Sequence, residues 1–154
     1  SVNSALIRAR ATIEEREPRA HDRAPVPRSA QEHELVARFA DAFERGDVEP
    51  IVALLAEDAW LTMPPEPHEY QGHDAIKQVY AQAFARRDNP HRLIPTRANS
   101  QPAFGQYVKD PHTDVGRALG LLVLTLDGDR ISHITRFPAT SALPHFGLPR
   151  TIPW

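Results

Sequence analysis

Between Glu32 and Arg45, apolar residues recur at three- and four-residue intervals: Leu35, Val36, Phe39, Ala40 and Phe43. Glu34, Arg38, Asp41 and Arg45 fall between them. This spacing predicts an amphipathic helix with one core-facing stripe. Ser29 followed by Glu32 is the capping-box signature for its start, and Gly46-Asp47 turns the chain at its end. A short helix, Val48 to Leu55, follows with Ile51, Val52, Leu54 and Leu55 as its apolar side. The pattern then shortens to a strand, Ala59 to Met63, which Pro64-Pro65 stops because proline cannot donate to a ladder. Glu66 to Tyr70 reads as a loop and Gly72 as a turn. A third helix runs from Asp74 to about Arg87, with Ile76, Val79, Tyr80, Ala83 and Phe84 on one side, until Asn89-Pro90 breaks it.

The second half of the chain reads as strands. His91 to Thr96 is one, interrupted at Pro95; Arg97 to Tyr107 is a second, carrying Phe104 and Tyr107. Asp110 to Asp114 is an exposed turn. Arg117 to Leu126 is apolar enough to be a central strand, and Asp127-Gly128-Asp129 is a hairpin signal leading into Arg130 to Phe137. Residues 138–154 hold four prolines and isolated bulky side chains, and read as an extended tail packing along the domain. At the other end, residues 1–16 carry Val2, Leu6, Ile7 and Ile13 on roughly one side of a helix, with Arg8, Arg10 and Arg16 around the rest. Between that helix and Ser29 lies a Pro- and Arg-rich linker with too little apolar bulk to fold. The division is a helix over 1–16, a linker over 17–30, an α+β domain over 31–139 and a tail over 140–154.

Composition narrows the function classes. A chain of 154 residues suffices for one domain with a sizeable core. A net charge of −2 argues against nucleic-acid binding by the whole chain. The charge is uneven: residues 1–30 hold six Arg against four acids, and the remainder is net acidic. The absence of Cys removes disulfide and thiolate chemistry and fits a cytoplasmic protein. The longest apolar run, Ala118 to Leu126, is far too short to span a bilayer, and the polar, Arg-rich opening does not read as a signal peptide. No metal-binding spacing, Gly-rich phosphate loop or nucleophile elbow occurs, so neither metal nor cofactor is expected.

The order helix, Gly-Asp turn, short helix, strand, Gly turn, helix over 43–76 resembles the opening of the SnoaL-like (nuclear transport factor 2-like) cone. In that fold a curved antiparallel sheet wraps around about three helices and leaves a pocket between them. The resemblance covers Glu32 to Pro149 and implies a fold more than a function. The opening SVNSALIRARATI is similar to the end of the DNA-reading helix in region 4 of extracytoplasmic-function sigma factors. LTMPPEPHEYQG, RLIPTRANSQPAF, VLTLDGDRISHITRF and LPHFGLP resemble, in order, the C-terminal domain carried by one branch of those factors.

A recognition helix without its supporting helices is not held in a major groove. The expectation is therefore a fragment whose Asn3, Ser4, Arg8 and Arg10 are a DNA-contacting remnant. The resemblance implies a regulatory domain that touches the promoter- and polymerase-binding regions of its own polypeptide. RNA polymerase core and promoter DNA are then partners of the full-length protein. A DGGGK-type regulatory loop found in some of that branch is absent here, where KDPHTD stands at 109–114.

Chemistry in the cone is the alternative. Ketosteroid isomerases on this fold need a carboxylate base and a neutral acid plus phenol as oxyanion hole. Aligned on the two Gly-containing turns, those positions are Phe39, Met63 and Leu122 here, and no catalytic residue is assigned. His68, His73, His91 and His133 remain as acid–base candidates, three of them with a plainer reading: loop residue for His68, helix start for His73, half-exposed strand residue for His133. Arg97 is either an anion anchor or a structural ion-pair partner. Phe39, Trp60, Met63, His68, Tyr70, Tyr80, Arg97, Leu122 and His133 are the expected pocket lining, for a polyketide-cyclase-type enzyme or a ligand-sensing pocket. In the tail, Leu143, Phe146 and Leu148 either plug a groove on the cone or form the regulatory contact.

Overall fold

The computed structural model describes residues 24–154. The helix expected over 1–16, with Asn3, Ser4, Arg8 and Arg10, and most of the linker lie outside the described residues. The elements are α1 (Ala30–Arg45), α2 (Val48–Leu54), β1 (Leu55–Thr62), β2 (Glu69–Gln71), α3 (His73–Ala85), β3 (His91–Ala98), β4 (Gln101–Lys109), β5 (Val115–Asp127) and β6 (Arg130–Phe137). A 3₁₀ helix (Thr140–Phe146) and β7 (Thr151–Pro153) close the chain. No helix among the described residues is long and apolar enough to cross a membrane.

The ends of α1 follow from its sequence. The Ser29 side chain accepts from the Glu32 backbone N–H at 3.3 Å, and Glu32 Oε1 accepts from the Arg28 N–H at 3.1 Å. The reciprocal pair thus reaches one residue further back than a standard capping box. Gly46 sits at φ 69°, where the Asp47 N–H returns to the Ala42 carbonyl. Glycine is the residue that takes this left-handed cap without steric cost.

The sheet runs β2-β1-β6-β5-β4-β3, with β7 pairing β5. All neighbours are antiparallel except β1 and β6, which are parallel. The curved antiparallel sheet expected from the fold resemblance is present, with this one parallel pair in it. A parallel pair needs a long crossover, and everything from β2 to β5 supplies it.

Bulges lie at Leu55/Trp60, Gln106/Tyr107 and Thr125/Leu126. Opposite the second bulge, a Cβ on Gly120 would stand 2.2 Å from the Phe137 carbonyl oxygen, so no larger residue fits.

Register assigns the two faces. Leu122 and Leu124 of β5, Phe104 of β4, Leu61 of β1 and Ile134 of β6 join α1, α2 and α3 in the main core. Phe39, Phe43 and Phe104 form its aromatic spine, with ring centroids 5.8 and 6.1 Å apart. The alternate residues Ala103, Leu121 and Val123 face the other way, against Leu143 and Leu148 of the tail.

Several boundaries differ from expectation. β1 begins at Leu55, directly after α2, because the exposed Glu57 and Asp58 sit within its bulged stretch and interrupt the apolar pattern. Glu69–Gln71 is an edge strand rather than loop, being short and polar as edges tend to be. β3 runs through Pro95 to Ala98, tolerated because β3 is itself an edge. Asn99, at φ 58°, makes the turn that the sequence reading placed inside the next strand.

The tail is not extended throughout. Leu143 and Pro144 lie in a 3₁₀ helix, and β7 occupies the part of the β5 edge that β6 leaves open. Outside contacts hold it: Thr96 Oγ1 donates to the Phe146 carbonyl at 2.7 Å and Tyr107 OH to that of Pro149 at 2.6 Å.

Candidate functional site

A cavity of ≈ 300 Å³ lies between the last turn of α1, one side of α3 and the inner face of the sheet. Helical spacing brings Val79, Tyr80, Ala83 and Phe84 to it from α3, and Phe43 from α1. Strand alternation brings Leu61 and Leu122, and the β5 bulge turns Leu119 the same way. Met63 closes the β1 side.

Four polar side chains complete the wall: Arg87 just beyond α3, His91 on β3, Gln106 on β4 and Arg136 on β6. Arg136 Nε donates to Gln106 Oε1 at 3.4 Å, and Gln106 Nε2 donates to His91 Nδ1 at 3.1 Å. With Nδ1 accepting, the neutral imidazole carries its proton on Nε2. Burial, reinforced by the Arg87 and Arg136 charges, lowers the His91 pKa to about 4, so the ring is neutral near pH 7.

The Arg87 guanidinium lies over the Phe84 ring at 3.9 Å and the Phe43 ring at 4.5 Å. Burial pulls its pKa down to about 10 and that of Arg136 down as well. Tyr80 is 6% exposed, burial pushes its pKa up, and its hydroxyl has no hydrogen-bond partner among the described residues. Among the described residues no Asp or Glu lines the cavity; Glu66 acts on Arg136 only through its charge. The arrangement can donate hydrogen bonds and attract an anion. It holds no carboxylate base.

Of the residues expected to line a pocket, Met63, Tyr80 and Leu122 do so. Phe39 is fully buried in the aromatic spine, and Tyr70 packs against the main core. His68 is exposed in the loop before β2. Trp60 is half-buried and pairs in register with His133.

The half-exposed His133 expected from the sequence is corrected: it is 1% exposed, with Nε2 2.9 Å from Thr62 Oγ1. Its partner across β5 is Thr125, not a core leucine, so alternation with the core-facing Ile134 puts it on the sheet face opposite the cavity. Arg97 is an ion-pair partner, holding Glu32 at 2.6 and 3.2 Å through two nitrogens. His73 opens α3, with Nε2 3.0 Å from the Leu55 carbonyl oxygen.

Sequence reasoning missed Arg87, Gln106 and Arg136. Period-two counting finds two of them, since Gln106 follows Phe104 and Arg136 follows Ile134 on the core-facing side.

A second hollow, ≈ 260 Å³, lies where residues 24–27 cross Gln101, Pro102 and Thr125. Among the described residues no cluster of His, Asp or Glu is placed to hold a metal ion.

Comparison with known proteins agrees with this geometry. Residues 36–134 match the SnoaL-like domain. The chain is 38% identical over 153 residues to the ECF RNA polymerase sigma factor SigG of Mycobacterium tuberculosis, in two strains. That alignment covers 99% of this chain and 41% of the relative. Among solved structures, an NTF2-like protein of unknown function from Mesorhizobium loti superposes with a TM-score of 0.57 at 20% identity, covering 75% of this chain and 96% of that one. An uncharacterised cystatin-fold protein from Novosphingobium aromaticivorans gives 0.54 at 18% identity, covering 67% and 94%. At such identities these structures speak for the fold alone. The family read from the sequence motifs is therefore shown, and the chain belongs to the SnoaL-like domain family.

Proposed function

We propose that this cone is the C-terminal regulatory domain of an extracytoplasmic-function sigma factor. In this reading it modulates transcription initiation by touching the promoter- and polymerase-binding regions of its own polypeptide in the cytoplasm. The observation that carries the reading is the 38% identity to a sigma factor, which runs from the Arg-rich opening through the linker into the cone. A cone recruited for unrelated purposes has no reason to keep that opening. The first sixteen residues then belong to the end of a DNA-binding region, and Asn3, Ser4, Arg8 and Arg10 to its DNA face.

The contact surface is either the tail or the 109–114 loop. Leu143 and Leu148 already bury themselves against the sheet, which leaves Phe146 as the half-buried member of the three. The loop is acidic, exposed and pinned by Asp110, which accepts from Arg117 Nε and from the His112 N–H, each at 2.9 Å. Those bonds hold the Asp110 pKa down at about 2.

The test is promoter-dependent transcription with core polymerase and the full-length factor. It is compared with versions ending before Gln31, ending after Thr140, or carrying Asp110→Asn with Asp114→Asn. A severalfold change in output on removing the cone supports the reading; unchanged output from a folded, polymerase-binding truncation sinks it. The other two variants separate tail from loop.

A further inference from the structure

The cavity wall is unusual in what it lacks. Arg87, Arg136 and the Tyr80 hydroxyl are donors, and the neutral His91 presents a donor at Nε2. Gln106 uses its amide on its neighbours. Among the described residues none of the lining is anionic, and Glu66 acts on Arg136 only through its charge. Two guanidinium groups in a half-buried, largely apolar cavity lose hydration. Neither has an ion-pair partner among the described residues.

Structural seats explain only part of this. Arg87 has two aromatic rings and the Phe43 carbonyl, but Arg136 has one 3.4 Å bond. The Tyr80 hydroxyl, nine-tenths buried, has nothing. A buried hydroxyl without a partner is unfavourable by roughly 1–3 kcal/mol, a penalty that a bound acceptor removes. The rest of the wall, from Leu61, Met63, Val79, Phe84 and Leu122, is apolar.

We propose that the cone cavity binds a small amphipathic carboxylate, its anionic end held by Arg136 and the Tyr80 hydroxyl with Arg87 behind, and its apolar body against α3 and the sheet. Guanidinium matches carboxylate in planar, paired geometry. At ≈ 300 Å³ the cavity stands at the lower end of small-molecule sites, which suits a single ring or short branched chain. Binding needs no catalysis and does not depend on the regulatory reading.

The experiment uses 3-phenylpropanoate and its neutral counterpart 3-phenylpropanamide, titrated into the whole chain by calorimetry and by thermal shift. The acid is expected to bind and to raise the melting temperature, and the amide to bind at least tenfold more weakly. Arg136→Met is expected to weaken the acid tenfold or more and leave the amide unchanged. Arg136→Lys, which keeps the charge, covers the case in which the Met variant fails to fold and is expected to retain part of the affinity. A third readout is the His91 ring by NMR: an anion beside it raises its titration midpoint above the free-protein value. Equal binding of acid and amide, no binding of the acid at 10-fold excess over millimolar protein, or an Arg136→Met variant that binds normally would each overturn the proposal.

Discussion

Replacing Arg97 by Ala tests how the domain is fastened at the point where the linker enters it. Arg97 holds Glu32 through two nitrogens, at 2.6 and 3.2 Å, and donates also to the Ser100 carbonyl. The Glu32 side chain is 3% exposed and that of Arg97 23%. Removing the guanidinium leaves a buried carboxylate with only the Arg28 N–H of the helix start as hydrogen-bond donor. Such a loss typically amounts to 3–5 kcal/mol, and because water reaches Arg97 the lower figure, about 3 kcal/mol, applies. For a chain of this size that is a fall in Tm of roughly 6–12 °C.

The effect has a sign in pH. Burial acts to raise the Glu32 pKa, but the bonds from Arg97 and the Arg28 N–H outweigh it and set it below the ordinary 4.5. The stability it contributes is therefore present above that ordinary value and lost as pH falls through the lower folded one. Urea unfolding of wild type and Arg97→Ala at pH 7 and at pH 3.5 measures this, with the gap expected to narrow at the acid end. A penalty under about 1 kcal/mol at pH 7, within the range of surface pairs, or one that does not change with pH, refutes the reasoning. The double variant Glu32→Gln/Arg97→Met should be less destabilised than Arg97→Ala alone, since no charge is then left buried.

Leu143→Ala, at a fully buried position of the tail, should lower stability by roughly 2–5 kcal/mol in urea unfolding. Phe146→Ala, at a half-buried one, should cost distinctly less. Gly120→Ala should be strongly destabilising or unfolded by circular dichroism, because its Cβ would meet the Phe137 carbonyl at 2.2 Å. On the expected alignment that puts Phe39, Met63 and Leu122 at the isomerase positions, a 5-ene-3-ketosteroid assay should show no rate above buffer. By gel shift the chain should bind duplex DNA weakly and without sequence preference, around 10⁻⁴ to 10⁻⁶ M at physiological salt.

The helices were legible because their stripes are long and their caps are local. Ser29, Glu32 and Gly46 mark the ends of α1 within a few residues, and the structure uses all three. The strands were legible as strands but not in their edges. The bulge in β1 places Glu57 and Asp58 inside a strand, where they read as a break. The tail was misread because its order is borrowed: the 3₁₀ turn around Pro144 persists through Leu143, which fills a hollow made by residues far upstream. No local signal encodes such a partner.

The site was less legible for a related reason. This pocket joins side chains from seven elements, and sequence alone favours whatever is already famous as reactive, which here meant histidines. Two of the four histidine candidates turned out to anchor the fold: His73 to the Leu55 carbonyl and His133 to Thr62. His91 alone reached the cavity, and there burial, with the two arginine charges behind it, keeps it neutral. The informative residues were charged ones at core-facing positions. Arg136 stands opposite Leu122 in the β5–β6 register, where an apolar residue would be the default. A cation set on the inside of a sheet, without a carboxylate beside it, is destabilising unless something else answers its charge. In this cone the donors beside Arg136 supply no such charge and Glu66 reaches it only through its field, which is the opening the proposed carboxylate would fill.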